Sequence, residues 1–371
     1  MIRPSRLSRR RLLAAMASAA ASPALPQGFA GLGTDADGFA LPERGRRLVF
    51  PKDHGPHPAF RIEWWYLTAN LTTEDGREGG IQWTLFRAAL APLGPDGPAA
   101  GWHSEQVWLG HAGLTLPGRH RYGERFARGG VGQAGVVVAP FEAWIDEWHL
   151  RQHAEVLGAG HDALDRVEVR AAGPAFAYDL SLRAEGPLVM QGDEGYSVKS
   201  PAGQASHYYS QPFYRVAGTL DLPGERITVT GQGWLDREWS SQPLAETQDG
   251  WDWVSLHLDS GEKMMGFRLR DRAGPPFTSA THIAPDGDET PYSDGALALT
   301  PLETARVAGR DVPVRWRAVL SDQGIDVTLS ALEPESWMGT ATPYWEGPVR
   351  IEGSHGGRGY LEMTGYTAEA G

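Results

Sequence analysis

From Phe39 onward, apolar and polar residues alternate over short runs, and turn dipeptides separate the runs. A two-residue period sends successive side chains to opposite faces, so these runs predict half-buried β-strands. The stretch "WWYLTANLTTEDGREGGIQWTLFRAAL" reads as two strands around Asp75-Gly76, a strong signal for a tight hairpin turn. "WDWVSLHLDSGEKMMGFRLRD" turns at Ser260-Gly261, "RWRAVLSDQGIDVTLSAL" at Gln323-Gly324, and "VRIEGSHGGRGYLEMTGY" around Gly356-Gly357. "APLGPDGPAAG" reads as a long Pro/Gly loop. No helical period is sustained over a full helix length, so the fold is expected to be all-β. The hairpin from Trp65 to Phe86-Arg87 and the hairpin from Trp253 to Phe267-Arg268 echo one another, as two similar β units would.

The same alternation assigns faces. In "EWWY", Glu63 and Trp65 share one face while Trp64 and Tyr66 share the other. Both faces carry aromatics, so both need cover, which a closed barrel with a second domain packed outside would give. In "GWLDREW", Trp234, Asp236 and Glu238 lie together, with Arg237 and Trp239 opposite. In "SHYYSQPFY", His207, Tyr209 and Gln211 lie together, with Ser206, Tyr208 and Ser210 opposite. His149 and His153 stand four apart, but "FEAWIDEWHLRQH" alternates like a strand, so no metal site is expected there. His54 and His57, in the turn-like "KDHGPHP", read as surface polar groups.

Composition narrows the class. Gly 47 and Pro 27 make about one residue in five, and Trp 14, Tyr 11 and Phe 11 supply a large aromatic surface. A net charge of −12 argues against nucleic-acid binding, and the absence of Cys removes disulfides, thiolate nucleophiles and Cys-based metal sites. No GxSxG elbow, HExxH pair or phosphate-binding glycine loop occurs. The N-terminal "SRLSRRRLLAAMASAAASPA" carries adjacent arginines before a short apolar run, the pattern of an export signal, of twin-arginine type or, as the alternative, an ordinary secretory signal with extra charge. Residues 1–30 are therefore expected to be a cleavable signal, and the mature protein to be periplasmic or secreted.

Taken in order, "EWWYLTANL…GGIQWTLFR", "SHYYSQP", "GWLDREWSSQPL", "WDWVSLHLDSGEKMMGFRLRD" and "GYLEMTGY" resemble the hydroxyneurosporene synthase family. These are carotenoid 1,2-hydratase-like, AttH-like proteins, often described as predicted secreted hydrolases. The resemblance runs from about Phe50 to Tyr366. It implies two lipocalin-like antiparallel β-barrel domains side by side, spanning 40–235 and 236–371, with a ligand cavity near where they meet. It also implies a catalytic set made of a His-x-aromatic pair and an aromatic-x-Asp pair. Here these fall on His207-x-Tyr209 and Trp234-x-Asp236, with the aromatic identities altered relative to the hydratases. Acid–base capacity is kept while the pocket shape differs, so a carotenoid is not the expected substrate.

The chemistry of such a set can be stated from first principles. Hydrating a C=C bond requires a proton on one carbon and water captured at the other. A carboxyl group buried among indoles stays protonated near neutral pH. Facing rings stabilise the carbocation, and a histidine can take the proton of the captured water. Asp236 is the candidate acid with Glu63 second, His207 the base, and Trp234, Tyr209, Trp64 and Trp65 the wall. Tyr66, Tyr208, Glu238, Trp239 and Trp253 are further candidates for ligand contact. Each cluster also has an ordinary structural reading, in which the aromatics are core and Glu63 pairs with an arginine such as Arg237. The expected ligand is a hydrophobic small molecule (lipid, isoprenoid or polyketide-like), with no cofactor and no metal. A non-catalytic carrier of an apolar ligand, or an accessory protein of an envelope transporter, is the alternative.

Overall fold

In the computed structural model, residues 36–94, 97, 101–153 and 161–368 are described. The export-signal stretch lies outside them. The described residues form two antiparallel sheets and three short 3-10 turns, with no α-helix among them. The four hairpins expected from sequence are present. Their turns place Gly76 at φ +84°, Gly261 at +93°, Gly324 at +64° and Gly357 at +152°, conformations that a Cβ disfavours.

The first sheet has 13 strands among the described residues. At its centre the Ile62–Thr73 strand lies between the Glu78–Ala89 and Glu225–Ser240 strands, and the latter pairs with the long Ala205–Leu222 strand. The sheet curls around one apolar core containing Trp65, Trp83, Trp148 and Trp239. That core is filled with side chains, so this barrel is packed rather than hollow. The second sheet, of ten strands, places the Gln248–Leu258 strand between Lys263–Asp271 and Gly357–Met363 and encloses a core around Trp316 and Trp345. The Glu225–Ser240 strand belongs wholly to the first sheet, and the second begins at Gln248. A division at 235/236 therefore falls inside that strand.

Two faces, one from each sheet, meet in a third apolar cluster that includes Tyr66, Tyr208, Trp234, Trp253 and Phe267. The echo between hairpins has a structural counterpart, offset by one residue. Trp64 stands opposite Phe86 in the first sheet, as Trp253 stands opposite Phe267 in the second. Beside them, Glu63 pairs with Arg87 and Asp252 with Arg268. In both units the Trp side of the strand turns toward the other sheet, while the acid turns into its own barrel among arginines.

Candidate active site between the two sheets

A cavity of about 390 Å³ lies between the sheets. Trp64, Tyr66, Tyr208, Asp236 and Glu238 of the first sheet wall it on one side, and Trp251, Trp253, Phe267 and Glu362 of the second sheet on the other. Leu90 and Phe126, both exposed, stand at its rim. The volume is near the lower end for sites that enclose a small organic ligand.

Asp236 is fully buried, and three donors hold it. Its Oδ1 accepts from Ser210 Oγ at 2.5 Å and from Trp234 Nε1 at 2.6 Å, and its Oδ2 accepts from Tyr208 OH at 2.6 Å. These bonds favour the carboxylate, but among the described residues no cation pairs with it. Burial wins and pushes its pKa up to about 7, with nearby Glu238 adding to the rise. Trp253 Nε1 in turn donates to Tyr208 OH at 3.2 Å, so a hydrogen-bonded chain runs from the second sheet to Asp236.

Further acids line the cavity or lie directly behind its wall. Glu362 accepts from Trp251 Nε1, and burial, together with Asp236 and Glu238, raises it to about 7. Glu346 stands directly opposite Glu362 across paired strands and accepts from Tyr66 OH; burial first, then Glu362, holds it well above the usual carboxylate range. Glu238 is matched by Lys199, whose Nζ lies 2.9 Å from its Oε1 and 4.2 Å from the centroid of the Phe267 ring. His111 touches Tyr344 OH at 2.9 Å, and burial lowers its pKa.

The residues singled out by sequence divide between two places. Asp236, Glu238, Trp64, Tyr66, Tyr208 and Trp253 face the cavity, and Trp234 supports Asp236 from behind it. Glu63, Trp65, His207, Tyr209 and Trp239 point the other way, into the first barrel. His207 therefore does not share a chamber with Asp236. In register His207 opposes Trp239 while Tyr208 opposes Glu238, and the two-residue period sends odd and even positions of these strands to opposite faces. His207 packs against Phe60 and Trp239, and its Nε2 accepts from the Glu43 backbone N–H at 3.3 Å. Burial and nearby Arg46 and His57 lower its pKa to about 4. It is no base for the cavity. Tyr209 likewise is not wall but barrel interior, its OH 2.6 Å from His54 Nδ1.

Glu63 is not a second acid. The guanidinium groups of Arg87 and Arg237 flank it, His57 N–H donates to it at 2.9 Å, and these partners overcome the desolvation cost and hold it ionised, well below the usual range. Arg237 also lies over Trp65, 3.7 Å from the ring centroid. His54 and His57 are not surface groups either. His54 is fully buried against Tyr209 and Asp162, and His57 stacks on Trp239 at 3.9 Å while bonding Asp53 at 3.0 Å. The KDHGPHP loop turns Asp53 and His54 inward and lays His57 on Trp239, which its composition does not reveal. Glu346, Glu362, Lys199 and Trp251 were missed as site residues. Glu346 in "YWEGPVRIEG" and Glu362 in "GYLEMTGY" carried the same signature as Asp236, a carboxylate two positions or fewer from large aromatics. Lys199, in a polar turn, carried none. Among the described residues, no group of three or more histidines and carboxylates is placed to hold a metal ion.

Comparison with known proteins places this geometry in a family. No curated protein matches the chain. The crystal structure of a proposed AttH from Nitrosomonas europaea is similar at 31% identity and a TM-score of 0.77, over 89% of this chain and 100% of that one. The crystal structure of kievitone hydratase from Nectria haematococca shares the fold at 15% identity and a TM-score of 0.64, over 89% of this chain and 98% of that one. The model of the AttH-like family matches residues 41–366, all but a small part of the sequence, and the chain belongs to that family.

Proposed function

We propose that this protein is a hydratase-like enzyme that adds water to a carbon–carbon double bond of an apolar small molecule, with Asp236 as the proton donor. The observation that carries this reading is a fully buried carboxyl group that three neutral donors hold facing an aromatic cavity, where burial pushes its pKa up to about 7. Transfer of that proton to one alkene carbon leaves a cation on the other. The rings of Trp64 and Trp253, which line the cavity, then stabilise the cation. Oδ2 of Asp236 accepts one hydrogen bond against two at Oδ1, which leaves on Oδ2 the position for the transferable proton. An isoprenoid side chain, whose trisubstituted double bond gives a tertiary cation, is the substrate class best suited to this chemistry and to a cavity of this size. That a fold neighbour is a hydratase supports the reaction class. No cofactor takes part in this scheme. We further propose that the protein acts outside the cytoplasm, on the strength of the Arg9-Arg10-Arg11 stretch and the apolar run after it.

The test incubates the purified protein with a panel of prenylated phenols and short terpenes in H2-18O and follows uptake of labelled water by mass spectrometry. Turnover by the wild-type protein, falling about 10²–10⁴-fold in Asp236→Asn, supports the reading. An apolar molecule that co-purifies unchanged in stoichiometric amount, with no label uptake on any alkene, would replace it with that of a carrier.

A further inference from the structure

We propose that Glu362 is the second catalytic carboxyl group of this cavity, taking the proton of the attacking water on the wall opposite Asp236, so that hydrogen and hydroxyl reach opposite faces of the double bond. The inference rests on the hydratase reading and assigns a role that His207, on the far side of the first sheet, cannot fill.

The argument is geometric. Asp236 and Tyr66 are direct partners in the first sheet. In the second sheet Glu362 sits between two direct partners, Trp253 on one neighbouring strand and Glu346 on the other. Two connections join these rows across the cavity. Tyr208 OH links Asp236 to Trp253 Nε1, and Tyr66 OH reaches Glu346 while its ring meets Trp253 edge-on at 5.2 Å. The two acids thus occupy facing walls of one chamber, and a planar alkene between Trp64 and Trp253 would present one face to each.

The other candidate bases are occupied, His111 among them, with one ring nitrogen on Tyr344 OH and the other on Glu124. Glu238 is on the same strand face as Asp236 and is tied to Lys199. Glu346 does not line the cavity, accepts from Tyr66, and is kept neutral by burial and by Glu362 beside it. Two carboxyl groups on directly paired positions cannot both ionise cheaply, so the proton that Glu346 retains leaves Glu362 free to lose its own. The groups facing Glu362 are Trp251 and Trp253 from one neighbour, Glu346 and Tyr344 from the other, and Tyr66, Asp236 and Glu238 from the opposite sheet. Trp251 Nε1 is the donor that supports its charged form.

The step balances. The Asp236 O–H bond breaks and its proton forms the new C–H bond. Water oxygen bonds the cationic carbon, and one water proton passes to the Glu362 carboxylate. Alkene and water become the alcohol, and the two carboxyl groups have exchanged protonation states, to be reset by exchange with solvent.

Two measurements on the full-length protein test this. The first is ¹³C NMR of side-chain carboxyl groups, with the Glu362 signal assigned by its loss in Glu362→Gln. It should titrate near neutrality in the wild type and lower in Asp236→Asn, because Asp236 ionises over the same range and its charge no longer builds up beside Glu362. An unchanged midpoint would overturn the proposed pairing. The second is turnover. Glu362→Gln is isosteric and should lower kcat about 10²–10⁴-fold with little change in KM, and Glu362→Asp should restore part of it. With a substrate whose two terminal methyl groups are distinguished by an isotopic label, reaction in D2O should add deuterium and hydroxyl anti. Loss of turnover in Asp236→Asn with retention in Glu362→Gln, or syn addition, overturns this inference alone. No turnover by the wild-type protein on any alkene overturns the hydratase reading and this inference with it.

Discussion

Glu63 and Asp236 lie on neighbouring, paired strands, each a buried carboxyl group among indole and phenol rings, yet they end in opposite protonation states. Glu63 faces the barrel interior, where Arg87 and Arg237 flank it and hold it ionised. Asp236 faces the gap between the sheets, where three neutral donors hold it, no cation matches it, and its pKa rises to about 7. The difference teaches that aromatic surroundings do not make an acid. The counter-ion decides, and the face of the strand decides the counter-ion. A paired carboxylate locks structure, and an unpaired one keeps a proton to give away.

Exchanging the damage between the two sites gives the strongest tests of that contrast. Asp236→Asn should remove about 10²–10⁴-fold of turnover without lowering the melting temperature at neutral pH, since no ion pair is lost. Glu63→Ala should do the reverse. It leaves two buried guanidinium groups uncompensated, a loss of about 3–5 kcal/mol in urea unfolding, and it affects turnover only through the folded fraction. If Glu63→Ala unfolds at the wild-type urea midpoint, the barrel network is not the lock described here.

The pH dependence should separate the pair next. The folded-state pKa of Glu63 is below its ordinary 4.5, so its stabilisation is present above that value and is lost as pH falls below it. Asp236 has the opposite sign. Its folded-state pKa of about 7 lies above the ordinary 3.8, so its contribution is complete below 3.8 and is lost as pH rises through about 7. Melting temperature against pH should therefore lose its acid slope in Glu63→Gln and its slope between about pH 4 and 7 in Asp236→Asn, and turnover should decline above about pH 7 as Asp236 ionises and below it as Glu362 takes up a proton. The smallest effect is expected at His207. His207→Asn should cost about 1–2 kcal/mol through lost packing and hydrogen bonding, and should leave turnover within about threefold. A collapse of activity in that variant, with the fold intact, would reconnect His207 to the chemistry.

Much of this was legible in the chain. Alternation placed Asp236 and Glu238 together and put His207 beside Tyr209 rather than Tyr208, because the period of a strand is fixed by its backbone. It also offered Arg237 as a partner for Glu63. What alternation within one strand could not say is how the faces of two strands line up. The registers Tyr208 to Glu238 and His207 to Trp239 put His207 and Asp236 on opposite sides of one sheet, although both belong to the same sequence pattern. The KDHGPHP loop with His54 and His57 reads as surface in sequence, and only its folding against the barrel buries Asp53 and His54.

The sequence by itself determined the strand class, the hairpins, the family and the two faces of each strand, because these follow from local backbone geometry and nearby residues. Only the tertiary structure decided which faces meet. It set Asp236 against Glu362, more than a hundred residues apart in the chain, and supplied Glu63 with its cations while withholding one from Asp236. The charge state of a buried acid depends on what surrounds it in space, and that is settled when the sheets close on each other.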